Sequence, residues 1–390
     1  MDAVIKSDTS FVEPNRLQRA GRRADAAKRV TDALRANFND RALLVTSPGS
    51  VNWRTGGLSD PIDVAATSDP LWVLDCAAGT ALITSEIEAP RFDYDFHVRE
   101  HGWDVLTAPW FEALAPLQLA CEYANVSPED LLSDTDAIGE SVREELVAAR
   151  LVLSDAERDE MRELGALAGV ALGAGIDAWR PGVSTDFDTA AIISATLEAA
   201  GAKAVCLIVG GDERLRRFRH PLAVGQVVDD AIMAVVVAKR SGLHVAATRI
   251  CVRRADDDIV TLMKTLEVVN DAVLDASKPG GTWGETLNAL AAAYAAIGQP
   301  GAWREHFQGG PIGFEQREFE LAPGQDGSPF WDLARRANSA VAWNPSFAGG
   351  AKLEETYLVG EEMELLTSTP TWPVLVGTHG LERSALKVLQ

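Results

Sequence analysis

Cysteine is scarce and scattered. Cys76, Cys121, Cys206 and Cys251 stand far apart, mostly within apolar runs, and no Cys-x-x-Cys occurs. This spacing indicates neither a disulfide framework nor a zinc site and leaves buried, reduced thiols as the expectation. Long apolar runs are missing too. The longest aliphatic stretch, Ala231 to Ala238, is too short to cross a bilayer, and the N-terminus shows no apolar signal region. The reading is a cytoplasmic protein without membrane association. Positive charge is in deficit: 36 Lys and Arg against 57 Asp and Glu leave a net charge of −21. Nucleic-acid binding needs a basic surface, so that class of partner is excluded. An anionic substrate would need a few local cations to overcome this background.

What is present is an ordinary globular balance, 47% hydrophobic and 24% charged over 390 residues, long enough for two domains. The first 40 or so residues are polar and basic, and Ala26, Val30, Ala33 and Leu34 suit a surface helix. Leu43 to Thr46, Leu71 to Leu74 and Ala81 to Thr84 read as short strands, and Trp110 to Ala124 as a helix. Together they make a small α/β domain over 1–152. Its stretch Asn52-Trp53-Arg54-Thr55-Gly56-Gly57 reads as a flexible loop, either a surface turn or a ligand-reaching segment.

From 153 to 390 the chain repeats itself. Ser154 with Glu157 starts a helix that Arg180-Pro181-Gly182 stops; a second helix, about Asp186 to Ala200, closes at Gly201. A strand at Ala204 to Val209 and a strand pair, Ala231 to Ala238 and His244 to Val252, follow a basic loop ending in His220-Pro221. Then a long helix ends at Lys278-Pro279-Gly280, and Thr282 with Glu285 starts another that runs to Gly298. Thr185 and Thr282, like Gly201 and Gly298, are 97 residues apart. Two copies indicate a pseudo-twofold domain, not a solenoid, with a natural ligand site between the halves.

The stretch from Arg304 to Glu318 concentrates reactive side chains around Gly309, Gly310, Pro311 and Gly313. Phe314 to Leu321 alternates apolar and polar residues and predicts a strand. The segment from Val341 to Pro373 holds three further strand-like runs.

The duplicated helix pairs, the His-Pro loop, the Thr248-Arg249 pair and Lys352-Leu353-Glu354-Glu355-Thr356 together resemble the pita-bread family of prolidase, aminopeptidase P, methionine aminopeptidase and creatinase. The resemblance covers nearly the whole chain. It implies an α/β (α+β) architecture: a creatinase/prolidase-like N-terminal domain, 1–152, and a pita-bread domain, 153–390. Most members hold two divalent ions with two Asp, one His and two Glu. The corresponding positions here are Val235, Ala246, Gly310, Asn344 and Glu354, of which only Glu354 offers a carboxylate. Hard or borderline dications need anionic donors, so no metal and no other cofactor is expected.

By site pattern the chain is more similar to creatinase, which uses this fold without metal. His306, Gly309, Gly313, Glu315, Arg317 and Glu318 match its run without a gap, and His220 matches its catalytic histidine. The resemblance implies His220 and His306 as acid/base groups, Arg317 as a carboxylate clamp, and Glu318 and Glu354 as orienting or accepting groups. Thr248 and Asn344 stand where creatinase has carboxylates, so a substrate less cationic than creatine is expected. It also implies a homodimer in which one subunit's N-terminal domain borders the other's site, with Trp53 and Arg54 as lid residues.

The expected activity is therefore a metal-independent hydrolase, or a lyase, acting on a C–N bond of a small carboxylate-bearing molecule. A prolidase or aminopeptidase P type metallopeptidase is one rival. A non-catalytic binding protein, as in the histone-chaperone subunit that reuses the fold, is the other. His220 capping loop carbonyls, and Arg317 paired with Glu318 or Glu354, remain the structural alternatives. His97, His101, His244 and His379 carry no supporting pattern.

Overall fold

The computed structural model describes residues 16–58, 71–96, 98–377 and 380–389; His97 and His379 lie outside that set. The chain divides into two units between Arg150 and Leu151. Among the described residues no helix is long and apolar enough to cross a membrane.

In the first unit the order is α1 (Arg16–Ala36), β1 (Leu43–Val45), α2 (Pro48–Thr55), β2 (Leu71–Cys76), β3 (Gly79–Ser85), α3 (Ala89–Phe96) and β4 (Asp104–Ala108). Then come α4 (Ala115–Ala124), β5 (Leu132–Ser133), β6 (Glu140–Ser141) and α5 (Arg143–Arg150). The strands form one mixed sheet in the order β4-β3-β2-β1-β5-β6. Leu44, Leu74, Ile83, Ala120 and Leu131 build a core on it.

Two sequence expectations are corrected here. The segment expected as a flexible loop at 52–57 is mostly helix: Pro48 sits at the start of α2, and Gly56, at φ 70°, ends it in the left-handed conformation. The helix expected from Trp110 begins only at Ala115, with a proline in its first positions. Trp110 and Phe111 are left exposed in the preceding turn.

The second unit opens with α6 (Asp155–Asp177) and α7 (Asp186–Ala199), followed by β7 (Lys203–Gly211), α8 (Asp212–Arg217), β8 (Ala231–Arg240) and β9 (Leu243–Val252). The pattern returns with α9 (Asp258–Asp275), α10 (Trp283–Ala296), β10 (Gly309–Pro311) and β11 (Ser339–Trp343). β12 (Ser346–Phe347), β13 (Ala351–Lys352) and β14 (Glu355–Val359) complete the site-forming part. Capping boxes start α6, α7 and α10 at Ser154, Thr185 and Thr282; those at Thr185 and Thr282 satisfy two helix-end amides reciprocally, and at Ser154 the Glu157 carboxylate accepts from the Ser154 amide at 2.6 Å. The duplication extends to tertiary pairing: Thr185 bridges Val227, and Thr282 bridges Ala334.

Each half contributes an antiparallel sheet, β7-β8-β9 and β10-β11-β14. The sheets are stitched together by Thr356, whose buried hydroxyl accepts from Ala246 N at 2.8 Å and donates to Ala246 O at 2.9 Å. Thr248 N also donates to Glu354 O at 2.9 Å.

The strand expected at Phe314–Leu321 is not formed. The Glu318 carboxylate accepts from Phe314 N at 2.7 Å and Glu315 N at 3.2 Å, folding the segment into a turn. Phe314, Phe319 and Leu321 are buried all the same, so the alternation reflected burial without strand pairing.

Candidate functional site

Where the two sheets of the second unit meet, side chains from both halves surround a cavity of about 90 Å³. β7 supplies Cys206 and Ile208, β8 Val235 and β9 Ala246. The second half supplies Gly310 from β10, Asn344 just beyond β11, Lys352 from β13 and Glu354 just before β14. His220, from the loop between α8 and β8, and His306, just before β10, complete the wall.

The two histidines touch. Their Nε2 atoms are 3.0 Å apart, so one ring donates and the other accepts. Burial, then the nearby Lys352 charge and the His220 ring, push His306 down to about 3. His220 is lowered as well, by burial first and then by Lys352. Near neutrality the pair is therefore uncharged, and the ring that donates through Nε2 keeps a bare Nδ1 as the lone pair free to take a proton. His306 Nδ1 is buried without a hydrogen-bond partner.

His306 has a pH consequence. Between its ordinary value near 6.5 and its folded value of about 3, the unfolded chain binds the proton and the folded chain does not. Stability contributed by the neutral ring is thus complete above the upper value and falls as pH drops through that window, by about 1.4 kcal/mol per pH unit. His244, pushed to about 3 mainly by burial, with Nδ1 3.0 Å from Gly313 O, adds the same sign.

Below the histidines lies a buried charged group. Glu354 Oε2 accepts from the Thr248 hydroxyl at 2.7 Å and sits 3.5 Å from Lys352 Nζ. Its Oε1 accepts from Asn344 Nδ2 at 3.3 Å. Gln308 ties this floor to the histidines: its carbonyl accepts from Asn344 N at 3.0 Å, and its side chain donates to His306 O at 2.7 Å. Tyr294 holds Gln308 through a 2.8 Å hydrogen bond.

The residues expected from sequence separate into groups. His220, His306, Asn344, Glu354 and Arg317 all line the cavity. Arg317, however, is about half exposed, pairs with Glu320 and stacks over Phe307 at 4.3 Å. Thr248 reaches the site through Glu354. Glu318 does not line the cavity, because its carboxylate is committed to the turn amides. Trp53 and Arg54 are buried inside the first unit, where Arg54 grips Asp75, so neither is a solvent-facing lid residue.

Sequence reasoning passed over Lys352 and Cys206, which also line the cavity. For Lys352 a signal existed: on extended backbone, residues two apart share a face, and Lys352 is two before Glu354. Cys206 is half-buried, and burial, then Glu354, raise its thiol. It is a packing thiol in its resting state.

All five positions at which the resemblance would place metal ligands, Val235, Ala246, Gly310, Asn344 and Glu354, converge on this cavity. The donors do not fit a dinuclear centre. Four of the five carry no anionic group, and Glu354 already faces Lys352, Thr248 and Asn344. Among the described residues no three His, Cys, Asp or Glu side chains are grouped to hold an ion.

No protein-family model matches the sequence, and no curated protein matches it. Solved structures do. Dipeptidase PepE from Mycobacterium ulcerans is similar at TM-score 0.71 and 17% identity, over 90% of this chain and 97% of that one. The X-Pro aminopeptidase from Thermotoga maritima is similar at TM-score 0.66 and 15% identity, over 90% of this chain and 98% of that one. The N-terminal domain of a FACT complex subunit from Cicer arietinum is similar at 0.63 and 14%, over 90% and 96%. A mixed α/β first unit, a duplicated second unit and these matches along the chain's length lead to one statement: this chain has the pita-bread fold of the prolidases and Xaa-Pro aminopeptidases.

Proposed function

We propose that the cavity hydrolyses a C–N bond in a small carboxylate-bearing substrate without a metal ion. The observation that carries this reading is the 3.0 Å contact between two uncharged imidazoles at the cavity wall. One imidazole removes a proton from water as it attacks the carbon of an amide-type bond; the departing nitrogen takes a proton back. That proton enters at the bare Nδ1 of the ring that donates through Nε2, and the other ring's Nε2 accepts from the resulting imidazolium until the nitrogen departs. Peptidases and dipeptidases of this fold act on peptide C–N bonds, which supports an amide-type substrate.

The metallopeptidase reading is not supported by the donor set. A binding role has one observation in its favour, the similarity to the FACT subunit domain. A panel of dipeptides and N-acyl amino acids, assayed with and without a chelator, separates the three. Turnover is expected to persist in the chelator and to fall by about 10²–10⁴-fold in His220→Ala. Loss of turnover in the chelator, restored by added Mn²⁺ or Co²⁺, would sink the metal-free mechanism. No turnover of any panel member would favour the binding role.

A further inference from the structure

Lys352 is only 5% exposed, yet its sole ion-pair partner among the described residues is Glu354, at the long distance of 3.5 Å. An ammonium carries three donors, and a buried one left underpaired is costly. Glu354 cannot satisfy it alone, since its oxygens also accept from Thr248 and Asn344. With both imidazoles neutral, the charged groups lining the cavity are Lys352, Arg317 and Glu354. Glu320 already engages Arg317, so the cation with donors left for an incoming anion is Lys352.

Asn344 points to a second feature. It is 8% exposed, and its Nδ2 faces Glu354 Oε1. A carboxylate only accepts, so the amide cannot be flipped, and Oδ1 must lie on the other side. That oxygen is buried and has no partner. A buried acceptor without a donor costs about 1–3 kcal/mol, which a ligand N–H would remove.

Resting on the reading of this cavity as the site, we infer that Lys352 binds the substrate's carboxylate from within, while Asn344 Oδ1 accepts an N–H of the same molecule. Arg317 at the rim, engaged by Glu320 and Phe307, is the secondary cation. The ligand class is a small amino acid substituted on nitrogen that keeps one N–H.

Three matched probes test this on the full chain by titration calorimetry: N-acetylglycine, its amide N-acetylglycinamide, and N-acetyl-N-methylglycine. The wild type is expected to bind the acid about tenfold to a hundredfold tighter than either analogue. Lys352→Met is expected to erase the preference for acid over amide, and Asn344→Leu the preference for N–H over N-methyl. Arg317→Met should keep both. No binding of N-acetylglycine at millimolar concentration, no preference in the wild type, or an intact acid preference in Lys352→Met overturns the inference. If Lys352→Met does not fold, loss of the acid preference in Arg317→Met overturns it alone. A wild type that binds with both preferences but hydrolyses no panel member leaves this inference standing and removes the hydrolase. Hydrolysis with an unchanged acid preference in Lys352→Met does the reverse.

Discussion

Gly309→Ala is expected to destabilise the second unit by about 3 kcal/mol or more and to abolish ligand binding at the cavity. Gly309 lies at φ 93°, where a side chain strains the backbone. A Cβ there would meet Ala342 O at 2.2 Å and Trp343 Cα at 2.7 Å. Both atoms belong to backbone, and Gly309 pairs with Trp343 in the β10–β11 ladder, so relief means prying the strands apart. Asn344 follows directly, hydrogen-bonded to Gln308, and His306 stands three residues before Gly309. Strand separation thus moves two site residues at once. Gly327→Ala serves as the control, because a Cβ there meets nothing within 4 Å; its effect is expected to stay within about 0.5 kcal/mol. Urea unfolding and the N-acetylglycine titration measure both consequences. A Gly309→Ala protein as stable as the control variant would mean that β10 is not held against β11 as described.

The other large effect lies in the first unit. Arg54 Nε and Nη2 donate to the two Asp75 oxygens at 2.6 and 2.8 Å, and both side chains are about 2% exposed. Burial alone would raise the Asp75 carboxyl, but the Arg54 guanidinium outweighs it and keeps the group below its ordinary range. Thr80 adds a 2.7 Å hydrogen bond to Asp75, and Trp103 lies under the guanidinium at 4.8 Å. Removing one partner strands a buried charge, so Arg54→Met is expected to cost about 3–5 kcal/mol. Adding Asp75→Leu is expected to return much of that loss, since paired ions exchanged for apolar side chains are often neutral in stability. Urea midpoints of both variants decide the matter. A loss below 1 kcal/mol in Arg54→Met would show that the pair does not hold the unit together.

Much of this fold was legible because its signals are local. The capping boxes read at Ser154 and Thr282 combine a hydroxyl and a carboxylate three residues apart, a pattern that needs no tertiary knowledge. The 97-residue offset of Thr185 from Thr282, and of Gly201 from Gly298, exposed the duplication, and the duplication pointed to a site between halves. The errors arose where distant atoms decide. Arg54 looked like a loop cation because Asp75, which buries it, is 21 residues away. Glu318 looked reactive because nothing in its spacing shows that its carboxylate closes the turn at Phe314. Arg317 fitted a clamp by pattern, while Lys352, the better-buried cation, stood in the motif only as a neighbour of Glu354.

Nitrogen-15 NMR of histidine-labelled protein, titrated from neutral pH downward, tests the uncharged His220–His306 pair most directly. Two neutral rings are expected at neutral pH, one protonated and one bare at Nε2, with His306 staying neutral far below pH 6.5 because burial holds it at about 3. An imidazolium at neutral pH, or two rings titrating independently near 6.5, would contradict it.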